Sequence, residues 1–412
     1  MFDVTTQSDP EGFRGKVGRL VHHLIPDLDQ RAYARARAKD RRARADSGEF
    51  GPVSMGARQL SGVGDRPPHV VVVPSDGPAQ GTWMPGVRNL YYEAYATLAE
   101  NAGSERVSAF FAEPHESPAH WQTRLVGYLQ DSQATHLLTH VECDPGNFES
   151  WSWDSFWQEV SPQWDGVFLG GMFDSSYRFT EAKAQIMARM SPNFVLVDIC
   201  IPMDDALIRG RREVGPVNMP MSQASLALLD ERLSGVSPIY ELSFFGVLYD
   251  YRVELLDRLR AEGLNVAVNP HRSDAATDGT STRANQPSWL DYMAGIAASR
   301  TTVNFSQSNA GPFEQLKTRV MEVGLAGAYL LTDDQDRTNR YWSSADFSEF
   351  TSRTDLVAVA QSVLSDEPVR SAAAARFAKR ARVLARDQFW GSIETTLQAR
   401  GLPSLGIEPF TG

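Results

Sequence analysis

Two glutamates eight positions apart, Glu314 and Glu322, bracket two cations, Lys317 and Arg319, in the stretch GPFEQLKTRVMEVGLAGAYLLT from Gly311 to Thr332. Gly311-Pro312 predicts a helix start, because Pro fits the first helical position, and Gly327 predicts its end. The apolar run Ala328 to Leu331 is short enough for a buried strand. Cations in the first two turns of a helix oppose the partial positive charge there. A bound anion, usually phosphate, would reverse that argument, since free N–H groups and cations would converge on it. Alternatively both cations reach sideways to solvent or pair with Glu314 and Glu322. The residues alone leave both readings open.

The elements around this stretch alternate. From His69, strands are expected at 69–74, 107–112, 136–141, 166–171 and 194–199. Helices are expected at 89–101, 121–129 and 180–189. Val214 to Met221, with two prolines and a glycine, reads as an interdomain connection. A second set follows, with strands at 241–248, 264–269 and 301–306 and helices at 251–262 and 288–298. An Ala/Arg-rich helix near 368–388 comes later. This is the pattern of two successive α/β domains with parallel sheets. Ligands of such sheets bind at the carboxyl ends of strands. Arg252 stands at one such helix start, after Tyr249-Asp250-Tyr251, so with Lys317 and Arg319 there are three cations at two helix starts on one sheet edge. That is a geometry for a diphosphate.

Composition bounds the class. The chain has 412 residues, 42% hydrophobic and 22% charged, which predicts a soluble protein of two domains. A net charge of −11 argues against nucleic-acid binding over the whole surface, though not against a local basic groove. The two cysteines, Cys143 and Cys200, lie in or beside apolar runs and read as buried thiols of a reducing compartment. With no signal peptide and no apolar stretch of membrane-spanning length, a cytoplasmic location is expected. The stretch RAYARARAKDRRAR (31–44) is helical by propensity. It is either a contact for an anionic surface, lipid or nucleic acid, or a solvated helix. Gly48 to Pro68 reads as a linker.

Four patches of the second half resemble the nucleotide-sugar-binding domain of GT-B-fold glycosyltransferases, the family-4-type retaining enzymes and in particular their CgeB-like, spore-maturation branch. They are SFFGVLYDYRVELLDRL (243–259), SWLDYMAGIAASRTTVNFS (288–306), the Glu314–Glu322 spacing, and EVGLAGAYLLTDD (322–334). The resemblance covers roughly 240–390; QLKTRVM between the glutamates departs from the Gly-Phe-Gly type common in family-4 enzymes. It implies two Rossmann-like domains facing across a cleft, with a helical N-terminal extension. The boundaries are then 1–66 for the extension and linker, 67–215 for the acceptor domain and 216–389 for the donor domain. The C-terminal helix, 390–412, is expected to rejoin the first domain, with Phe389, Trp390 and Ile393 supplying an apolar side.

The resemblance also assigns roles. Glu322 would accept from the ribose hydroxyls, since the two oxygens of one carboxylate suit a vicinal diol. Glu314 would touch the donor sugar. Arg252, Lys317 and Arg319 would hold the diphosphate and stabilise the leaving nucleoside diphosphate. Gly246 and Thr318 complete the expected donor-binding set. Gly77, in the loop after the first strand, would let backbone approach the donor, or the loop is a plain connection. His140 shares a strand face with Glu142 and Asp144 and is a site candidate or part of a capped strand end. Asp76 and Asp174 are candidates for acceptor binding or general base. No Asp-x-Asp stands at a strand end, and neither a metal nor a permanently bound cofactor is implied. The activity implied is transfer of a sugar from a UDP- or GDP-type donor to a glycan, a small molecule or modified DNA. A sugar-nucleotide epimerase and a non-catalytic nucleotide- or glycan-binding protein are the alternatives.

Overall fold

The structure is a computed structural model that describes residues 35, 60–75, 81–113, 116–141, 153–172, 178–199, 214–269, 288–306, 316–333, 338–351 and 354–411. The basic segment 31–44 and the linker to residue 59 thus lie almost wholly outside the described residues, as do Cys143 and Cys200.

Unbroken aliphatic runs make strands covered on both faces, the condition of a parallel sheet. Val70–Val73 (β1) is such a run, with all four side chains buried. It pairs in parallel with Val107–Ala109 (β2) and His136–His140 (β3). Val167–Met172 (β4), Phe194–Ile199 (β5) and Val214–Val217 (β6) extend a six-stranded sheet of order β2-β1-β3-β4-β5-β6. A five-stranded parallel sheet of order β11-β10-β9-β7-β8 follows. It is built from Tyr240–Phe244 (β7), Val266–Val268 (β8), Ser299–Asn304 (β9), Tyr329–Thr332 (β10) and Ser348–Glu349 (β11).

The described chain forms two compact units. One holds the residues up to Trp83, Asn89–Val217 and Phe389–Thr411; the other holds Met84–Arg88 and Asn218–Gln388. Each is a Rossmann-like layer of parallel strands and helices, the α/β class that the alternating pattern predicts. The first unit has an aromatic core. Trp121 and Trp153 lie 4.8 Å apart between ring centroids, and Trp157 and Phe194 pack on Phe168. The second buries Leu242, Phe244, Leu255, Leu256, Val303 and Phe305. None of the described helices is long and apolar enough to cross a membrane.

Several expected boundaries move. The segment read as a connection at 214–221 begins with β6, an edge strand that pairs with β5 alone. Pro216 is tolerated because an edge strand need not offer every N–H to a ladder. Gly215 takes φ 129°, and a Cβ there would sit 2.6 Å from the Asp198 carbonyl oxygen. The helix expected from Pro312 instead starts at Thr318 and ends at Leu325. Lys317 is extended, with φ −81° and ψ 143°, and Leu316 is buried before the first turn forms. Helices Trp153–Val160 and Gln223–Leu233 were not expected from the pattern. The Ala/Arg-rich helix is Glu367–Val383, followed by a π-helical turn, Leu384–Gln388, and a final helix, Phe389–Arg400.

Candidate functional site

Strand order in the second sheet reverses between β7 and β9, and open α/β sheets take ligands in the crevice beyond the carboxyl ends at such a point. β7 ends at Phe244 and is followed by Phe245 and Gly246. Gly246 has φ 139°, in the region that favours glycine, and Asn269 pins it from both sides. The Gly246 N–H donates to Asn269 Oδ1 at 2.8 Å, and Asn269 Nδ2 donates back to the Gly246 carbonyl at 2.9 Å. A Cβ on Gly246 would lie 2.4 Å from Arg319 Nη2, so the missing side chain makes room for that guanidinium.

Two guanidinium groups therefore flank one ring. Arg319 lies 5.0 Å from the Phe244 centroid and Arg252 lies 5.6 Å from it. Like charges gathered on an apolar ring repel, and they are stable where an anion or other acceptors answer them. Arg252 is answered within the fold. It is buried, donates to Tyr251 Oη at 2.8 Å, to the Val247 carbonyl at 3.0 Å and to the Phe305 carbonyl at 3.5 Å, and stacks on Tyr249 at 4.6 Å. It thereby ties together the chain after β7 and the chain after β9. Arg319 differs: its Nε is buried and has no hydrogen-bond partner among the described residues. Lys317 stands at the position before the same helix without a side-chain cap bond, Thr318 is its first residue and Arg319 its second, so all three sit at its N-terminal end.

Glu322 lies one turn further along. The helix buries Val320 through Leu325 without a break, so its carboxylate is carried inward and is 4% exposed. Tyr292 Oη donates to Glu322 Oε2 at 2.8 Å, and Arg88 Nε lies 3.3 Å from Oε1. Arg88 also donates to Thr318 Oγ1. The Tyr292 phenol is pushed well up by burial and, secondly, by the Glu322 charge, so it stays protonated and keeps donating. Its ring meets Phe245 edge-on at 5.2 Å, which links the carboxylate to the loop after β7. Arg88 and Tyr292 were not among the residues singled out from sequence. Arg88 is 230 positions from Thr318 and carries no local signal; Tyr292 stood only within the SWLDYM patch.

In the first unit, order reverses between β1 and β3. Val73 pairs with Thr139 there, and Thr139 Oγ1 donates to the Val73 carbonyl at 3.0 Å. His140, the next residue, is half-buried with its ring 6.0 Å from that of Tyr91. It therefore sits at the carboxyl end of the sheet, at the point of reversal. Asp76, Gly77, Glu142, Asp144, Asp174 and Glu314 lie outside the described residues.

Residues 252–396 match a family model described as glycosyl transferase-like. No curated protein sequence matches. Among solved structures, the fold is similar to an α-glucosyltransferase determined with UDP and a 13-mer DNA containing a central A:G mismatch. The TM-score is 0.52 at 10% identity, over 81% of this chain and 99% of that one. It is also similar to a sucrose-phosphate synthase from Thermosynechococcus elongatus, with TM-score 0.49 at 14% identity, over 80% of this chain and 97% of that one. The chain thus has the two Rossmann-like domains of the GT-B type, with a glycosyl transferase-like region from 252 to 396.

Proposed function

We propose that this protein is a glycosyltransferase that moves a sugar from a nucleoside-diphosphate sugar to an acceptor. The observation that carries the reading is the buried end of helix Thr318–Leu325. It sets an unanswered guanidinium nitrogen, Arg319 Nε, and a buried carboxylate, Glu322, one turn apart beside the point of strand reversal. A nucleoside diphosphate has the matching parts: a diphosphate for the cation and a vicinal diol for the carboxylate. Arg319 and Lys317 would hold the diphosphate and stabilise the charge that grows as the glycosidic bond breaks. Arg252 would add charge from behind while fixing both loops, Gly246 would leave space, and Thr318 would contribute its N–H at the helix start. With cations in that role, transfer would proceed without a metal. Transfer would retain configuration, the leaving phosphate taking the acceptor proton, so that the protein supplies position and charge more than a base.

Glu314 is assigned to the donor sugar, Gly77 to backbone approach, and His140 and Asp76 to the acceptor side. The CgeB-like, family-4-type assignment belongs to the same reading, as do the domain limits 67–215 with 390–412, and 216–389. The donor is UDP- or GDP-type. The α-glucosyltransferase of similar fold is one that holds UDP and DNA in its complex. For this chain the basic stretch 31–44 makes DNA an acceptor worth testing beside glycans and small molecules.

Thermal melting with UDP and GDP tests the donor site directly. One of them is expected to raise Tm, and Glu322→Ala to remove the rise. No shift with either nucleotide would overturn the reading. A mass-spectrometric donor screen then separates transfer from epimerisation, since an epimerase releases an isomerised sugar nucleotide rather than a glycosylated product.

A further inference from the structure

We infer that Arg88 is a positioning residue for Glu322, one that aims the carboxylate at the ribose hydroxyls of the nucleotide; this rests on the donor-site reading above. The guanidinium of Arg88 bridges Thr318 Oγ1 and Glu322 Oε1, two side chains four residues apart on one helix. Residues at that spacing are neighbours on a helix surface, and the planar fork of Arg can reach both. Tyr292 meets the other carboxylate oxygen. A carboxylate has about four lone-pair sites. The Tyr292 hydroxyl takes one site on Oε2 and Arg88 pairs in charge with Oε1, so each oxygen keeps a lone pair, and a vicinal diol needs such a pair.

The segment that carries Arg88 is itself fixed. Gly86, two residues earlier, donates its N–H to Ser225 Oγ at 3.0 Å. It holds φ 76°, with Leu228 and Leu290 side-chain carbons 3.1 and 3.3 Å from where a Cβ would sit. A solvent-exposed ion pair contributes little. Here only Arg88 is exposed, its side chain at 47% against 5% for Glu322. Removing Arg88 leaves a buried carboxylate with the Tyr292 hydroxyl as its remaining close donor among the partners described above. Such a carboxylate is free to rotate away from the position that Arg88 gives it.

The test compares three probes, UDP, 2′-deoxy-UDP and UMP (and the guanosine set if GDP is the nucleotide bound), by calorimetry on the full chain. Wild type is expected to prefer UDP to 2′-deoxy-UDP by roughly tenfold or more, the effect of one hydrogen bond to a charged group. In Arg88→Ala and Arg88→Gln that preference should fall to within about twofold, while the preference for UDP over UMP stays at its wild-type value. Arg88→Lys keeps the charge without the fork and should recover only part of the ribose preference. A collapse of the UDP/UMP ratio with the ribose preference intact would place Arg88 on the phosphates and overturn the inference. Both ratios unmoved in folded Ala and Gln variants would make it a surface ion pair. A wild type that binds neither UDP nor GDP overturns the donor site itself, a different result from a wild type that binds and is indifferent to Arg88.

Discussion

At the residue scale, the cost of burying Glu322 explains its neighbours. A carboxylate shielded on a helix with buried residues on nearly every side must be met by donors. Tyr292 provides one, because burial of its hydroxyl keeps the phenol protonated. Tyr292→Phe keeps the ring against Phe245 and removes the donor alone. Its expected effect is a loss of about three- to tenfold in UDP affinity by calorimetry, with the aromatic packing retained. Gly246→Ala is expected to be worse for binding than for folding. The added Cβ meets the far end of Arg319, which can swing away, though φ 139° adds strain of order 1–3 kcal/mol. UDP should then fail to raise Tm in a variant that still melts cooperatively. Glu322 and Arg319 were visible in sequence because both charges stand in one short apolar segment. Arg88 and Tyr292 were not, because contacts made by residues 230 and 30 positions away leave no local pattern.

At the element scale, the helix that carries Glu322 and Arg319 is set in place by a glycine. A Cβ on Gly324 would lie 2.7 Å from Ala381 Cβ and 2.9 Å from Phe377 Cδ1, so the glycine lets this helix approach helix Glu367–Val383 closely. Gly324→Ala is expected to cost about 1–3 kcal/mol in urea unfolding and to shift the helix by a few tenths of an ångström or more. Nucleotide affinity should fall with it. Gly324→Ala thus tests whether site geometry depends on this packing rather than on the loop alone. The strands were legible wherever burial on both faces produced an unbroken run, as in Val70–Val73. β6 was hidden because Gly215 and Pro216 are the residues of a connector, and only its place at the edge makes them acceptable in a strand. Helix Trp153–Val160 was hidden for another reason. Its sequence, WDSFWQEV, has the aromatics of a strand, while its Trp153, Phe156, Trp157 and Val160 recur at helical spacing and fill the core.

At the scale of the whole molecule, the last segment closes the first unit. Trp390 Nε1 donates to the Ala94 carbonyl at 2.8 Å, and Glu394 Oε2 accepts from the Leu405 N–H at 2.7 Å. His136, fully buried, donates its Nε2–H to the Pro403 carbonyl at 2.9 Å, and in the neutral ring its Nδ1 accepts from Thr135 Oγ1 at 2.8 Å. Burial pushes the His136 imidazole down to about 4 from its usual 6.5. The neutral form is the one the fold holds, so the unfolded chain binds the extra proton between these values. His136 thus contributes stability that is fully present above pH 6.5 and is lost as pH falls through about 4, up to roughly 3 kcal/mol. Urea midpoints should fall over that interval, and His136→Gln should flatten that part of the slope.

The chain order of this closure has a consequence for synthesis. Nearly all of the second unit lies within one continuous stretch, Asn218–Gln388, while the first draws its final helix from Phe389 onward. On a ribosome, the strands of the first sheet emerge before Asn218–Gln388, yet Trp390, Glu394 and Pro403 follow that stretch and can take their places only after it. Until then the carbonyl of Ala94 and the ring of His136 lack these partners, and the first unit stays unfinished while the second is already complete in the chain.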